Sequence, residues 1–447
     1  MERNLFHSVT LDLEKCKGCT NCIKVCPTEA IRVRNGKAYI IKERCIDCGQ
    51  CIKACPHRAK QAVCDGFEDL KRFKYNIAMP APSLYGQFNN LDDVSFVLTG
   101  LLKIGFDKVY EVASAAEMIS DVTRTHYMSS EKNLPRPVIS SACPACIRLI
   151  KNRFPQLLPN VISHAAPVEL AAILARNEAV TETGLPPEDI GVFFISPCPA
   201  KVTSAHVPVG LSSPVMDGAM AISDVYRRLL PAMNKLDKPE IQATAGLIGI
   251  GWALSGGEGN ALLDRHYLAV DGINNVIQIL EDLEDEKLPE LEFIELNACT
   301  QGCVGGCLTV ENPYVAKTRI KSLMRYLPVS RNKSAAAPGI EDGLDWGVPL
   351  EYTPTWQLGA ETDMAAAMEK LTRINALQER LPGLDCGSCG TPSCRALAED
   401  VIMGQASEED CIFRMRERMQ YYSGAADAEN YLPPPFRTTE GRRPNGG

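Results

Sequence analysis

The stretch that decides the fold of this chain is LEFIELNACTQGCVGGC, residues 291–307. Its apolar first part, LEFIEL, has the pattern of a buried strand, and cysteines and glycines follow directly after it. Two other segments repeat this arrangement: PVISSACPAC at 137–146 and IGVFFISPCPAK at 190–201. Open α/β sheets bind ligands in the crevice at the carboxyl ends of their strands. We therefore expect the three strands to be neighbours and the cysteines of their loops to converge on one site.

Strand-like and helix-like segments alternate over residues 73–325. The predicted strands are YNIAMPA, KVYEVAS, PVISSA, IGVFFIS, AGLIGIG and LEFIELNA, and the predicted helices are VELAAILARNEAV, ISDVYRRLLPAMNKL and GINNVIQILEDLEDE. Alternation of this kind predicts an α/β domain with largely parallel sheets. One cysteine from each of the first two loops and two from the third give four candidate ligands: Cys143, Cys198, Cys299 and Cys303.

Two cysteine repeats precede this domain, in residues 1–65. CKGCTNCIKVCP (16–27) and CIDCGQCIKACP (45–56) both read C-x2-C-x2-C-x3-C-P, which is the signature of two-cluster bacterial ferredoxins. The fourth cysteine of each repeat ligates the other cluster, so the expected 4Fe–4S ligand sets are Cys16, Cys19, Cys22 and Cys55, and Cys45, Cys48, Cys51 and Cys26. The intervening AIRVRNGKAYI predicts a hairpin with its turn at Asn35-Gly36, in a small α+β domain. Zinc is the alternative metal, because CxxC pairs also bind it.

A third cysteine block occupies residues 363–421, after a linker at 326–362 that is rich in Pro, Gly and Ser. It opens with a predicted helix, MAAAMEKLTRINALQER, and its cysteines are spaced C-x2-C-x4-C-x16-C: Cys386, Cys389, Cys394 and Cys411. LPGLDCGSCGTPSC resembles the cubane domain of electron-transfer and corrinoid iron–sulfur proteins. We expect a further 4Fe–4S cluster, with zinc as the alternative. Residues 422–447 are expected to form a disordered tail.

Composition limits the function classes. The net charge of −8 gives no reason to expect binding to nucleic acid or to an anionic membrane. The sequence has neither an apolar run near the ~20 residues that span a bilayer nor a signal peptide at its start, so a cytoplasmic protein is expected. Nineteen cysteines, most of them in short groups, favour metal clusters over disulfides. A homo-oligomer is left open.

Taken in order, the three central motifs resemble the active-site signatures of FeFe hydrogenases: T-S-C-C-P-x-W, M-P-C-x-x-K-x-x-E and E-x-M-x-C-x-x-G-C. GFDKVYEVASAAEM and MDGAMAISDVYRRL also resemble segments of that family, which extends the resemblance over about residues 73–325. The resemblance implies a two-lobed catalytic domain with an H-cluster, in which one thiolate joins a 4Fe–4S cubane to a two-iron unit carrying CO, cyanide and a dithiolate. Cys303 matches the bridging cysteine, and Lys201 matches the lysine that hydrogen-bonds a cyanide.

Several positions depart from the family pattern. Ala142 replaces the cysteine that hands protons between the cofactor and solvent, and a methyl group cannot carry a proton. Ser196 and Asn297 replace two methionines, and Ser204 replaces a glutamate. Loss of a positioned proton carrier costs about 10²–10⁴-fold in rate. The pattern resembles the sensory subgroup of FeFe hydrogenases that lacks a PAS domain.

The resemblance therefore implies slow, reversible heterolytic activation of hydrogen, used to sense hydrogen or redox state through the 4Fe–4S clusters. The implied partners are molecular hydrogen and protons, the maturation proteins that build the two-iron unit, and an unidentified redox or signalling protein. A metabolic hydrogenase module linked to ferredoxin is one alternative. A non-catalytic iron–sulfur assembly or scaffold protein of the Nar/Narf-like group is a second, and a pure ferredoxin-like relay is a third.

Overall fold

The computed structural model describes residues 6–127, 135–263, 266–334, 348–351 and 364–423. The chain divides into two compact units. The first contains Met1–Lys17, Val25–Ala30 and Ile40–Thr355, and the second contains Gly18–Lys24, Ile31–Tyr39 and Trp356–Gly447. The predicted tail and most of the predicted linker lie outside the described residues.

Eleven strands lie within the described residues. They are β1 (Val9–Leu11), β2 (Ile31–Arg34), β3 (Lys37–Ile40), β4 (Lys60–Ala62), β5 (Tyr75–Pro80), β6 (Lys108–Val109), β7 (Val138–Ile139), β8 (Ile190–Ser196), β9 (Gly218–Ala221), β10 (Tyr267–Asp271) and β11 (Phe293–Asn297).

The helices of the first unit lie mainly between these strands. Over both units they are α1 (Asn21–Lys24), α2 (Gln50–Ala54), α3 (Ser95–Lys103), α4 (Val112–Val122), α5 (Pro144–Arg153), α6 (Pro167–Thr183), α7 (Pro199–His206), α8 (Ile222–Met233), α9 (Leu247–Gly251), α10 (Gly257–Ala261), α11 (Ile273–Glu284), α12 (Pro313–Met324), α13 (Met364–Arg380), α14 (Cys394–Ile402) and α15 (Ile412–Ser423). Among the described residues, every helix is too short or too polar to cross a membrane.

A four-stranded parallel sheet, in the order β6-β5-β8-β9, forms one half of the central domain. Side chains on its strands alternate between two cores: Val192 and Phe194 of β8 enter one, and Phe193 and Ile195 enter the other. This alternation follows from the two-residue period of a strand. A strand that is buried on both faces needs the continuous apolar run seen in IGVFFIS.

A three-stranded parallel sheet, in the order β10-β11-β7, forms the other half. α5 and α11 cover it with a third core that includes Ile147, Ile150, Val276 and Leu280. The prediction of an α/β domain with parallel sheets is therefore confirmed. β7 and β11 are neighbours, whereas β8 belongs to the other sheet. The three cysteine loops thus leave the ends of two sheets, and not neighbouring strands of one sheet as expected.

One of the predicted strands was wrong, and another was predicted too long. AGLIGIG lies in and before helix α9, where a Cβ on Gly249 would come 2.1 Å from the carbonyl oxygen of Ala113. A short apolar run cannot by itself distinguish a strand from a buried helix. KVYEVAS contributes only β6, because α4 begins at Val112. Conversely, the sequence analysis missed β9 and β10.

In the amino-terminal region, β1 pairs with β4 in antiparallel fashion and β2 pairs with β3. Asn35 and Gly36 join β2 to β3 with φ values of +50° and +72°. Positive φ at both central positions is the requirement of a tight hairpin turn, so the predicted hairpin is confirmed.

Candidate active site

A cavity of about 860 Å³ lies in the first unit, and all three cysteine loops contribute to its wall. The lining residues that the sequence analysis selected are Ala142, Cys143, Cys198, Lys201, Asn297, Cys299 and Cys303. The remaining wall is mostly apolar, with Val112, Val168, Phe194 and Trp252 among its side chains.

Local structure explains how Cys143 and Cys198 reach this wall. Each is the N-cap residue of a helix, α5 or α7, with proline at the first helical position. The sequence Cys-Pro after a strand thus ends the strand and starts a helix. Both helix N-termini point their partial positive charge towards the cysteine, which favours an anionic thiolate.

The third loop supplies Cys299 and Cys303, directly after β11. Its glycines permit close backbone contacts. Gly302 has a φ of +86°, and a Cβ there would come 2.5 Å from the backbone nitrogen of Ser255. A Cβ on Gly306 would come 2.0 Å from the carbonyl oxygen of Pro197, in the second cysteine loop. Larger residues would therefore push the loops apart.

The four thiols interact electrostatically. Burial, together with the nearby Cys198 and Cys143, raises the pKa of Cys303 to about 12. The pKa of Cys299 is raised by the same causes. A hydrogen bond from Cys146 instead lowers the pKa of Cys143 to about 6. Thiolates are the ligands of 4Fe–4S clusters, and four thiols that line one cavity fit a cubane.

Lys201 is the basic residue of the cavity. Its Nζ donates a hydrogen bond to the carbonyl oxygen of Ala142 at 2.9 Å. Its charge also lowers the pKa of Cys198 and of Cys303, against the effect of burial. A fixed ammonium group at this position can neutralise an anionic group held by the cysteines.

The residues that depart from the family motifs do not all lie in the cavity wall. Ala142 and Asn297 line the cavity, and the Asn297 side chain donates to Glu295 at 2.7 Å. Ser196 is fully buried and is not a lining residue. Its hydroxyl donates to the carbonyl oxygen of Cys198 at 2.9 Å and accepts from the amide of Cys198 at 3.3 Å. Ser196 therefore shapes the Cys198 loop from outside the cavity.

Sequence reasoning missed two buried glutamates in the cavity wall. Burial, together with the neighbouring Glu295, raises the pKa of Glu258 to about 8. Burial also raises the pKa of Glu295, which accepts hydrogen bonds from the amides of Gly256 and Gly259. The hydroxyl of Ser140 donates to Glu258 at 2.5 Å. The sequence contained a signal for each of them. Glu258 is the single carboxylate in the glycine-rich segment SGGEGN, and Glu295 is a carboxylate inside an apolar strand.

Comparison with known proteins agrees with this geometry. The model of the iron-only hydrogenase large subunit, C-terminal domain, matches residues 74–227 and 259–307. The central domain belongs to the iron-only (FeFe) hydrogenase family. A 4Fe-4S dicluster domain model matches residues 8–56, and an Fe-S cluster model matches residues 381–413. The prediction of the family, of a 4Fe–4S dicluster domain and of a carboxyl-terminal iron–sulfur domain is thereby confirmed, and an H-cluster is the cofactor expected for this family.

Among its relatives is iron hydrogenase 1 of Clostridium pasteurianum, with 25% identity over 67% of this chain and 64% of the relative. The chain thus spans somewhat less than two thirds of that relative. The periplasmic Fe hydrogenase large subunit of Nitratidesulfovibrio vulgaris is 26% identical over 67% of this chain and 86% of the relative. Nuclear prelamin A recognition factor of Rattus norvegicus is 27% identical over 31% of this chain and 32% of the relative.

Outside the hydrogenase cavity, the structure groups one of the two predicted ferredoxin ligand sets. Burial raises the pKa of Cys45 and Cys48, and the charges of Cys26 and Cys51 raise both further. These four thiols are therefore close together. The set Cys16, Cys19, Cys22 and Cys55 is divided between the two units and stays a prediction.

The two repeats also share a local feature. The Sγ atoms of Cys26 and Cys55 each accept a backbone hydrogen bond at 3.2 Å from the residue four positions on, Ala30 or Ala59. All nineteen cysteines lie within the described residues, and none forms a disulfide. This agrees with a metal-binding use of the thiols.

In the carboxyl-terminal block, Cys389, Cys394 and Cys411 meet in one small core with Leu377 and Leu397. Cys386 precedes Gly387, whose φ of +76° turns the chain towards Cys389. Hydrogen-bonded backbone and sulfur groups are typical of cluster loops: the hydroxyl of Thr391 lies 2.9 Å from the Sγ of Cys389.

Proposed function

We propose that this protein activates hydrogen slowly at an H-cluster and serves as a hydrogen or redox sensor. The observation that carries the proposal is the convergence of four thiols and one lysine on a single 860 Å³ cavity. Cys143, Cys198, Cys299 and Cys303 would hold the cubane, and Cys303 would bridge to the two-iron unit. When bound, this cofactor would supply an iron site for the heterolytic splitting of hydrogen, and the net products of the oxidation are two protons and two electrons.

The protein contributes position, charge and exclusion of water. Lys201, which is hydrogen-bonded to the carbonyl oxygen of Ala142, would orient the anionic ligands of the two-iron unit and compensate their charge. The apolar wall around Trp252 and Phe194 keeps water away from the site, which strengthens these electrostatic interactions.

The proposed proton route does not need a titratable side chain at residue 142. The amide of Ala142 donates to the hydroxyl of Ser140 at 3.1 Å, and that hydroxyl donates to Glu258. With a pKa of about 8, Glu258 holds a proton at neutral pH and can exchange it with little cost. The Glu258 carboxyl would take over proton transfer from the thiol that Ala142 lacks, but only in part. We therefore expect a slow reaction.

Infrared spectroscopy tests the cofactor. The full chain is purified without oxygen, loaded with a synthetic two-iron complex or co-expressed with the maturation proteins, and exposed to hydrogen or to an inert gas. Sharp CO and cyanide bands that shift under hydrogen are expected. Turnover measured on the same sample then separates the sensor from a metabolic module, since rates matching fast family members would contradict the sensory role.

A second candidate is a non-catalytic iron–sulfur scaffold. The similarity to nuclear prelamin A recognition factor and the methyl group of Ala142 favour it. This candidate predicts intact cubanes by iron analysis but no CO or cyanide bands after the same loading. Bands that respond to hydrogen would exclude it.

A further inference from the structure

We propose that the carboxyl-terminal 4Fe–4S cluster exchanges electrons directly with the first amino-terminal cluster. The second unit brings together cysteines that belong to these two clusters by sequence, although about 370 residues separate them. Cys19 and Cys22 come from the amino-terminal repeat, and Cys386, Cys389, Cys394 and Cys411 come from the carboxyl-terminal block. Three sets of contacts within this unit support the proposal.

The first contact joins helix α1 to the loop between Cys386 and Cys389. A Cβ placed on Gly387 would lie 3.2 Å from Cδ1 of Ile23 and 3.6 Å from Cε of Lys24. Gly387 directly follows one predicted ligand, and Ile23 directly follows another, Cys22. The two cluster-binding segments are therefore so close that any side chain at position 387 would touch α1, beside a predicted ligand on each side.

The second contact joins strand β2 to the same loop. The amide of Val33 donates to the carbonyl oxygen of Gly390 at 2.8 Å. Arg34 donates from Nη1 to the carbonyl oxygen of Cys389 at 3.0 Å. A Cβ on Gly390 would come 2.1 Å from the carbonyl oxygen of Val33, and its φ of +79° also favours glycine. The backbone around Cys389 is thus fixed to the amino-terminal hairpin.

The third contact is a buried ion-pair network. Arg32 donates to both carboxylate oxygens of Asp400, from Nε at 2.8 Å and from Nη2 at 3.1 Å. Arg34 adds a further bond to Asp400 at 2.8 Å. Arg32 is fully buried and Asp400 is 4% exposed. Two guanidinium groups on one carboxylate fix direction as well as distance, so α14, which begins at Cys394, is held in one orientation to the hairpin.

Electron exchange between the two clusters needs no bond change and no proton. One electron leaves a reduced cluster and one oxidised cluster gains it. Hydrogen supplies the electrons if the proposed function is right, but a chemical reductant such as dithionite supplies them equally well. The inference therefore rests on the cubane clusters alone, and its test is independent of the hydrogen reaction.

The first experiment compares electron paramagnetic resonance spectra of the dithionite-reduced full chain and of the double variant C389A/C394A, which lacks the carboxyl-terminal cluster. Reduced clusters that are neighbours split or broaden each other's signals. We expect the wild-type spectrum to contain such an interaction in addition to the one between the two ferredoxin clusters. A wild-type spectrum equal to the variant spectrum plus one isolated cluster would overturn the proposal.

The second experiment tests the contacts themselves. Asp400→Asn removes the charge between Arg32 and Arg34, and Glu408→Gln is the matched control because Glu408 pairs with Arg380 and Arg414 within the same block. With iron content unchanged, the additional magnetic interaction should weaken in Asp400→Asn and persist in the control. Persistence in both variants would contradict the role of the network. If Asp400→Asn loses iron, the comparison with C389A/C394A still decides the proposal.

Discussion

The carboxyl-terminal cysteine block and the central cavity both gather thiols, but they do so over different lengths of chain. The block takes its four cysteines from residues 386–411 and has a core of only a few apolar side chains. The cavity takes its four from residues 143–303, at the ends of strands in two sheets that have large cores of their own. The comparison indicates that metal stabilises the block, whereas the fold of the central domain prepares its site in advance.

The largest effect is expected for Cys303→Ala. This change removes the predicted bridge and one cubane ligand, so hydrogen turnover and the CO and cyanide bands should disappear. Circular dichroism should show an intact central domain, because the two sheets do not depend on this thiol. Cys307→Ala is the matched control: Cys307 lies partly buried in the same loop but does not line the cavity, and its loss should leave the bands in place. Bands that survive in Cys303→Ala would refute the assigned bridge.

Cys394→Ala tests the other side of the comparison. Without its metal, the small core around Leu377 and Leu397 should open, since a few apolar side chains cannot offset the conformational entropy of about 60 residues. Limited proteolysis should then cut within residues 364–423 and spare the central domain. Equal resistance of variant and wild type would show that the block folds without its cluster.

Ala142→Cys should raise turnover, because it restores a titratable group beside the cofactor. An increase of about 10²-fold is expected if the proton carrier limits the rate. Ala142→Ser provides the control, since a hydroxyl of similar size does not ionise near neutral pH and should give a much smaller increase. An unchanged rate in Ala142→Cys would mean that the Ser140–Glu258 route already suffices.

The smallest effect concerns pH. Burial raises the pKa of Glu258 from an ordinary value of 4.5 to about 8, so the folded protein binds more protons than the unfolded chain between these values. Stability from this group is complete below the unfolded pKa and is lost as pH rises through the folded pKa. Glu258→Gln should therefore flatten the fall in unfolding temperature between about pH 5 and pH 8. An unaltered pH dependence would show that Glu258 does not carry this buried proton.

Much of the candidate site could be predicted from the sequence, because local spacing encodes it. Because the cysteines directly follow apolar runs, the sequence predicts that they lie at the ends of strands. Lys201 is three residues after Cys198, which places the two side chains about one helical turn apart. The sequence could not show that these strands belong to two sheets. Pairing between distant strands depends on contacts that no local pattern contains.

The remaining errors share a physical cause. AGLIGIG became a helix because its glycines allow close packing on α4, which depends on tertiary context. Ser196 lies outside the cavity because its hydroxyl forms hydrogen bonds with the backbone of Cys198. Glu258 was missed because only the fold brings it to Ser140, 118 residues away.

The pairing of Arg32 with Asp400 has a consequence for biosynthesis. The two residues are 368 positions apart, so at bacterial and eukaryotic synthesis rates Arg32 leaves the ribosome roughly 20 to 70 seconds before its partner exists. During this time the charge of Arg32 is not compensated by Asp400, so this side chain cannot be buried at low cost. The two segments can therefore meet only after Asp400 has been synthesised, and the second unit cannot be completed before that point.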